Sequence, residues 1–283
     1  MAVIVLTSAA GSPGVTTSAL GLALQWPRDV LLVDADRDPA QALQSGWLRG
    51  ADLAGRGLAA LAGAHREHRS LSEELWLQTI PLDQQPDQRT PETMLEAGDE
   101  ARRRPERRFL PGFTHPGAVS LFTPVWQGLC DALLALDQVG TDVLVDAGRI
   151  GRDGLPESLV AAADLALVTC RSSLPSLAGV RLHLPTLQAQ AEGAATHVEL
   201  LVVGPNRPYA SAEIGTQFGC PGHSLAWEPR HAAVLSDGSP PPRGLGQGAL
   251  ARSHRALASS LAEQSRRRSE VVAGTRSSQD WGK

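Results

Sequence analysis

The hydrophobic pattern of the chain alternates short, unbroken apolar runs with longer stretches in which apolar residues recur at helical spacing. Runs that are apolar at every position are typical of parallel strands buried on both faces. The expected strands cover residues 3–6, 30–33, 75–82, 108–110, 141–146, 165–169, 197–203 and 224–227. The expected helices cover residues 14–25, 38–63, 121–137, 172–190, 212–218 and 249–263. Of these, the helical stretch 38–63 is expected to break at Gly46, Gly50 and Gly55, and the helix at 172–190 is expected to be interrupted or kinked at Pro175 and Pro185. This alternation predicts an α/β fold with a doubly wound, mainly parallel sheet flanked by helices.

The pattern also predicts how the chain divides into domains. Residues 1–263 are expected to form one domain, because hydrophobic residues make up 42% of the 283 positions and supply enough material for a core. Residues 83–108 are polar and charged, which indicates an exposed excursion from that domain. Residues 264–283 are predicted to be a disordered tail.

A glycine-containing loop joins the first strand to the first helix. Gly11, Ser12 and Gly14 occupy this loop, and Thr16 and Thr17 open the helix. A loop of this kind directs free backbone N–H groups and the positive end of a helix toward one point, where an anion such as phosphate can bind. Ligands of parallel sheets bind at the carboxyl ends of the strands.

Three aspartates follow two of the buried strands. Asp34 and Asp36 come directly after the second strand, and Asp146 ends the strand at residues 141–146. Because the carboxyl ends of parallel strands share one edge of the sheet, these carboxylates are expected beside the glycine loop.

The segment 10–17, AGSPGVTT, resembles the deviant Walker A box K-G-G-x-G-K-T-[ST] of the ParA/MinD group of dimeric P-loop ATPases. The residues that match the box are Gly11, Gly14, Thr16 and Thr17. The segment 34–36 resembles the D-x-D of that family, and the strand at 141–146 resembles its Walker B strand. The resemblance covers most of residues 1–262 and implies the ParA/MinD topology.

The box departs from the family pattern at its cationic positions. Ala10 and Val15 stand where the family has lysines, and Ser12 replaces a glycine. The single lysine of the chain is Lys283, its last residue. Pro13 also removes one backbone N–H from the loop. A charged hydrogen bond contributes about 1.5–3 kcal/mol, so two absent lysines are expected to weaken phosphate binding by roughly 100- to 10,000-fold.

The resemblance implies a role for each site residue. ATP or ADP would be bound by Gly11, Ser12, Gly14, Val15, Thr16 and Thr17, with Asn206 near the base. Thr16 and Asp146 would hold Mg²⁺. Asp36 would position the attacking water and is the catalytic residue if the protein hydrolyses ATP.

Three functions are compatible with these residues. The leading hypothesis, which the resemblance implies, is a non-hydrolysing or weakly active positioning or assembly factor that forms a homodimer and contacts protein partners. Degenerate P-loops of this kind occur in the TadZ/CpaE-like branch of the family. The alternative is an active Mg-ATPase in which arginine replaces lysine; the candidates are Arg37, Arg149, Arg152 and Arg171. A third hypothesis is a partition protein that binds DNA phosphates nonspecifically through the arginines of segment 102–108.

The composition of the chain bears on its binding partners and its cellular compartment, but it does not distinguish among these three functions. The net charge of −4 gives no general attraction to nucleic acid or anionic lipid. The three widely spaced cysteines are expected to be buried thiols in a reducing cytoplasm. Neither a signal peptide nor a membrane-spanning run is predicted, and the helix at 249–263 is expected to pack on the domain in preference to a membrane.

Overall fold

The strands of this protein form one sheet. The structure is a computed structural model that describes residues 1–11, 14–83, 105–194 and 196–280, with side chains described as far as residue 267. Its strands are β1 (Val3–Ser8), β2 (Val30–Asp34), β3 (Ile80–Pro81), β4 (Arg107–Leu110), β5 (Asp142–Arg149), β6 (Leu165–Arg171), β7 (His197–Val203) and β8 (Gly222–Leu225). Their order is β3-β4-β2-β5-β1-β6-β7-β8, and β3 pairs antiparallel with β4 whereas every other pair is parallel. The predicted doubly wound, mainly parallel fold is therefore confirmed.

Helices cover both faces of this sheet. They are α1 (Val15–Gln25), α2 (Ala42–Ser45), α3 (Leu58–Arg66), α4 (Leu71–Leu75), α5 (Pro116–Leu121), α6 (Trp126–Leu134), α7 (Glu157–Ala162), α8 (Leu174–Ala194), α9 (Ser211–Phe218), α10 (Pro229–Ser236) and α11 (Ala249–Asp280). Single 3-10 turns lie at Trp76–Gln78, Thr123–Val125, Ala135–Val139 and Leu245–Gln247.

Successive residues of β1 point into two separate apolar layers. Val3 and Val5 belong to the layer that packs under α3 to α9. Ile4 and Leu6 belong to the layer under α1, α2, α10 and α11. Because side chains alternate between the faces of a strand, a run that is apolar at every position marks a strand covered on both sides.

Several predicted elements differ from those in the structure. The helical stretch expected over residues 38–63 is divided into the short α2 and α3, with the predicted breaks at Gly46, Gly50 and Gly55 lying between them, so less of it is helical than expected. The strand expected over residues 75–82 is mostly helical, and only Ile80–Pro81 pairs with β4. The helix expected over residues 121–137 is divided into α5, α6 and 3-10 turns. Where an interruption or kink was predicted at Pro175 and Pro185, the single helix α8 includes both residues.

The boundaries at the excursion and at the tail also shift. Arg107 and Arg108 belong to β4 and not to the excursion predicted at 83–108, and residues 84–104 lie outside the described residues. Where a disordered tail was predicted from residue 264, α11 continues to Asp280. Once the first turns of a helix are fixed by packing, each added residue costs little, so polar residues can continue it.

The Asp142 side chain connects β5 to β1 and to the segment after α1 at the amino-terminal edge of the sheet. Its carboxylate is 1% exposed. It accepts hydrogen bonds from the Ala2 amide at 2.7 Å and the Trp26 indole at 2.8 Å, and it pairs with the Arg28 guanidinium at 2.7 Å. Three donors therefore converge on one buried charge, far from the carboxyl edge.

Candidate functional site

The amino-terminal end of α1 is open toward the carboxyl edge of the sheet. Gly14 precedes the helix in the left-handed conformation, with φ 98° and ψ 40°, which is readily available only to glycine. Among the described residues no side chain caps this end of α1, and its first turn carries no acidic residue. The first amides of a helix have no partner inside the helix, so this end can receive an anion. Ser12 and Pro13 lie outside the described residues.

The three predicted aspartates meet beside this helix end. Asp34 of β2 stands opposite Asp146 of β5 in the strand register. The Asp36 amide donates to Asp34 Oδ1 at 3.2 Å, and the Gly148 amide donates to Asp146 Oδ1 at 3.0 Å. A Cβ at Gly148 would lie 2.0 Å from Asp36 Oδ1, so the carboxylate of Asp36 packs directly on this glycine. The sequence-based placement of these residues at one edge is observed in the structure.

Burial makes these carboxylates unusually basic. Burial and the adjacent charge of Asp146 raise the pKa of Asp34 to about 8. Burial likewise raises the pKa of Asp146 to about 6, although hydrogen bonds from the Thr16 hydroxyl and the Gly148 amide oppose the increase. The pKa of Asp36 is also raised by burial. The raised pKa values mean that these carboxyl groups hold protons more tightly than usual, and a bound cation would favour their ionised form.

Thr16 and Asp146 could hold Mg²⁺ together. The hydrogen bond from the Thr16 hydroxyl brings it to the carboxylate of Asp146, and both are oxygen ligands of the kind Mg²⁺ prefers. Among the residues that the structure describes, no group of three or more His, Cys, Asp or Glu side chains is placed to hold a metal ion. Mg²⁺ at this position would therefore take its remaining ligands from water or from a phosphate.

The two positions that lack lysine are occupied by packed apolar side chains. Val15 is 7% exposed and belongs to the apolar layer on the α1 face of the sheet. The Ala10 methyl lies against α8, where a Cβ added to Gly179 would approach it to 2.5 Å. Val15 therefore contributes to the core, Ala10 is half-buried against α8, and neither side chain carries a charge to the helix end.

A cleft of about 750 Å³ lies over the open end of α1. Gly11, Gly14, Val15, Thr16 and Thr17 form its floor. Its far wall is formed by the segment after β8 and by α10. Small-molecule sites usually occupy about 300–1,000 Å³, so this volume fits a nucleotide.

Charges of both signs line the cleft. Asp36, Asp38, Glu228 and Asp237 contribute carboxylates, and Arg149 and Arg171 contribute guanidinium groups. Acidic residues thus outnumber basic ones among the described residues that line the cleft. This balance opposes the entry of a polyphosphate unless a cation accompanies it.

The four arginines proposed as lysine substitutes fall into two groups. Arg149 lies close enough to Asp36 for its charge to lower the pKa of that carboxyl, and Arg171 stacks on the Trp227 ring at 4.9 Å. Arg37 instead donates to the Gly154 carbonyl at 2.5 Å, and Arg152 is exposed outside the cleft. Only the first two can therefore reach a ligand in the cleft without rearrangement.

Asn206, the residue predicted near the base, lies on the loop after β7. It is exposed, has φ 63°, and its amide donates to the Tyr209 carbonyl at 2.7 Å. Val203 and Trp227 line this side of the cleft in the described part of the chain, and Asn206 does not. Its role near a base stays a prediction.

The far wall of the cleft, which includes Trp227 and Glu228, was not predicted from the sequence. Trp227 stacks with Arg171, and Glu228 accepts a hydrogen bond from the Leu250 amide at 2.7 Å, at the start of α11. This bond, together with those from Ala249 and His231, lowers the pKa of Glu228. The position of these residues in the chain could have indicated the wall, because residues that follow a parallel strand lie at the carboxyl edge of the sheet.

Of the arginines proposed for DNA binding, Arg107 and Arg108 belong to the described part of the chain. Arg107 and Arg108 lie in β4, where the Arg107 Nε donates to the Ala23 carbonyl at 3.1 Å. Arg108 stacks on the Trp76 ring at 4.8 Å and pairs with Glu106 at 3.2 Å. Residues 102–104 lie outside the described residues. The two described arginines are therefore engaged with the protein itself.

The α11 helix was also weighed as a membrane contact. Within the described residues, no helix combines the length and the apolar character needed to cross a bilayer. Leu257 and Leu261 of α11 are buried in the apolar layer beneath α1, as predicted for packing on the domain.

Comparisons with known proteins identify the fold. No protein-family model matches the chain, and no curated protein matches it. Among solved structures, a ParA family ATPase from Chlorobium tepidum matches with a TM-score of 0.66 at 15% identity, over 91% of this chain and 97% of that one. MinD complexed with Mg-ADP from Pyrococcus horikoshii matches with a TM-score of 0.63 at 17% identity, over 91% and 94% of the two chains.

An ATP complex of the McdA D38A variant from Cyanothece matches equally well. Its TM-score is 0.62 at 14% identity, over 93% of this chain and 96% of that one. Identities this low establish architecture alone, but the coverage is nearly complete on both sides. The chain therefore adopts the P-loop fold of the ParA and MinD ATPases.

Proposed function

We propose that this chain is a ParA/MinD-type protein with a degenerate nucleotide site, which works as a positioning or assembly factor and hydrolyses ATP weakly or not at all. It would act as a homodimer that contacts protein partners. The solved structures with this fold include a MinC:MinD cell division protein complex from Aquifex aeolicus, which supports a partner-binding role. The TadZ/CpaE-like branch is the proposed setting.

The observation that carries this proposal is the burial of Val15. A P-loop directs its lysine from this position toward the β- and γ-phosphates. Here the side chain is 7% exposed and packed in the core, and the only lysine of the chain is Lys283. Phosphoryl transfer depends on neutralising charge at those oxygens, so catalysis is expected to suffer more than binding.

The remaining site residues fit a bound Mg-nucleotide in part. The open amides of α1 would bind phosphate, and Thr16 with Asp146 would hold Mg²⁺. When bound, Mg²⁺ supplies positive charge that offsets the phosphates and the surrounding carboxylates. Asp36, already packed on Gly148, would accept a hydrogen bond from a water molecule in the cleft.

A thermal-shift titration with Mg-ATP tests this proposal. Nucleotide at about 100 times its Kd stabilises a native protein by about 2.7 kcal/mol, which raises Tm by roughly 5 °C or more. A site that binds about 100-fold more weakly gains about 0.4 kcal/mol at the same concentration. We expect a shift of about 1 °C or less at 1 mM Mg-ATP. A rise of several degrees in the unchanged protein would contradict the proposal.

The variant Val15→Lys tests whether the absent charge is the cause. One charged hydrogen bond is expected to tighten Mg-ATP binding by about 10- to 100-fold, provided the lysine reaches the phosphates. Val15→Met is the matched control, because it lengthens the same side chain without adding charge. Equal nucleotide affinity in the lysine and methionine variants would show that the cation at this position is not what limits binding.

An active Mg-ATPase that uses arginine is the second candidate. The observation in its favour is that Arg149 and Arg171 both line the cleft. It predicts that ATP hydrolysis occurs in the unchanged protein and falls at least tenfold in Arg149→Ala and Arg171→Ala. Arg152→Ala is the matched control, since that exposed arginine does not line the cleft. Hydrolysis that all three variants retain would exclude this mechanism.

A further inference from the structure

A second cavity, of about 1000 Å³, lies on the other side of the wall that closes the cleft. It is bounded by α1, α10 and α11 and by the loop that joins the last two. Leu250 and His254 of α11 line both the cavity and the cleft, so they form the partition between them. The cavity is therefore distinct from the candidate nucleotide site and adjacent to it.

Apolar side chains contribute much of the lining of this cavity, alongside polar and charged residues. Its lining includes Leu24, Trp47, Val234, Leu235 and Leu245. The Trp47 indole N–H is already satisfied by the Leu82 carbonyl at 2.9 Å, so the ring can offer its apolar surface. Apolar walls with a few polar groups are the usual composition of small-molecule sites.

The charges at the rim leave one unmatched cation among the described residues. Asp83 pairs with Arg107 at 3.5 Å, and Glu106 pairs with Arg108 at 3.2 Å. Arg49 is exposed at the rim, and although its backbone amide donates to the Gly46 carbonyl at 3.1 Å, its guanidinium group makes no hydrogen bond or ion pair with the described part of the chain. A guanidinium group in this state can bind a carboxylate, sulfonate or phosphate.

His254, which lies between the cavity and the cleft, is a destabilising choice of residue for its buried position. It is 2% exposed, and its Nε2 has no hydrogen-bond partner among the described residues. A buried polar atom without a partner costs about 1–3 kcal/mol. The ring also requires glycine at position 21 of α1, where a Cβ would lie 2.3 Å from its Cε1 atom. Departures of this kind from the most stable choice concentrate at functional sites.

We propose that this second cavity binds a small anionic molecule with a flat apolar body, of the aromatic-acid class. The apolar body would lie against Trp47 and the surrounding leucines, and the anionic group would pair with Arg49 at the rim. This inference is independent of the proposed function, since it uses no residue of the P-loop.

The fluorescent probe 1-anilinonaphthalene-8-sulfonate tests the proposal on the full chain, because it combines a flat apolar body with a sulfonate. We expect saturable binding with a stoichiometry near one. Ala251 lines the cavity, and Ala251→Trp should fill it and weaken binding by at least tenfold. Ala256→Trp makes the same change at an exposed position of α11 and should leave the affinity unchanged. Equal affinities in these two variants would overturn the proposal.

A charge reversal keeps the test decisive if Ala251→Trp does not fold. Arg49→Glu should weaken probe binding by about three- to tenfold, whereas Arg56→Glu, at an exposed position outside the cavity, should not. Ala233→Trp fills the cleft and not the cavity, so it should also leave binding intact. Loss of binding in Ala233→Trp together with retention in Arg49→Glu would place the probe in the cleft and refute the proposal.

Discussion

Acidification should destabilise this protein through His254, and the magnitude follows from its surroundings. Burial of the ring in the partition lowers the pKa of His254 from 6.5 to about 4. The unfolded chain therefore takes up a proton near pH 6.5, whereas the folded protein resists until about pH 4. Because the unfolded state binds more protons in that interval, stability falls as the pH decreases through it. The expected loss from this residue is about 2 kcal/mol between pH 7 and pH 5.

Urea unfolding of the unchanged protein and of His254→Leu at pH 7, 6 and 5 measures this term. Leucine cannot be protonated and is similar in volume, so the difference in stability between the two proteins should shift by about 2 kcal/mol in favour of the variant on acidification. His197→Leu, at an exposed position, is the control for removing a histidine. Carboxylates with a raised pKa change stability in the opposite direction, but they are present in both proteins. Their contribution therefore cancels in the difference, which reports on His254 alone. A difference that stays constant from pH 7 to pH 5 would refute the reasoning.

Two further predictions concern packing and the sheet edge. Gly21→Ala should destabilise the protein by about 1–3 kcal/mol, because the new methyl group displaces the His254 ring; Gly63→Ala, which meets no atom within 4 Å, should stabilise α3 by up to about 1 kcal/mol. Asp142→Asn should cost about 1.5–3 kcal/mol, since it removes the charge of a buried carboxylate that accepts from three donors, whereas Asp137→Asn, at an exposed carboxylate, should cost less than about 1 kcal/mol. Chemical denaturation measures both pairs, and equal effects within either pair would contradict the explanation.

The sheet and its carboxyl edge could be predicted from sequence because burial on both faces leaves a strong signal. A parallel strand covered by helices on two sides must be apolar at nearly every position, as in β1, β2 and β5. The residue that ends such a strand is then fixed at the edge of the sheet. Asp34 and Asp146 were placed correctly for this reason, and the strand register sets them opposite each other.

The sequence pattern was too weak to set the limits of the helices between residues 38 and 82, and it did not predict the far wall of the cleft. Between residues 38 and 82, leucine and alanine recur at helical spacing, but glycine turns and contacts with the sheet decide where each helix ends. The stacking of Arg171 on Trp227 joins segments more than fifty positions apart, so neither residue carries a local signal of the contact. His254 lies at helical spacing from Leu250 and Leu257, so its place on the apolar face of α11 follows from the periodicity, whereas its close approach to Gly21 of α1 carries no local signal.

The two kinds of position in the P-loop region respond differently to the loss of a functional side chain. At position 15 a small apolar side chain is buried in the core, and at position 10 it is half-buried against α8, so apolar residues are accommodated at both positions. Asp146 cannot be replaced so cheaply, since its carboxylate satisfies the Gly148 amide and the Thr16 hydroxyl in the interior. The aspartates would thus persist for structural reasons even in a protein that never hydrolyses ATP. The aspartates are therefore compatible with either function, and under the proposed function the charge at position 15 decides whether the protein responds to nucleotide, which the Val15→Lys variant tests.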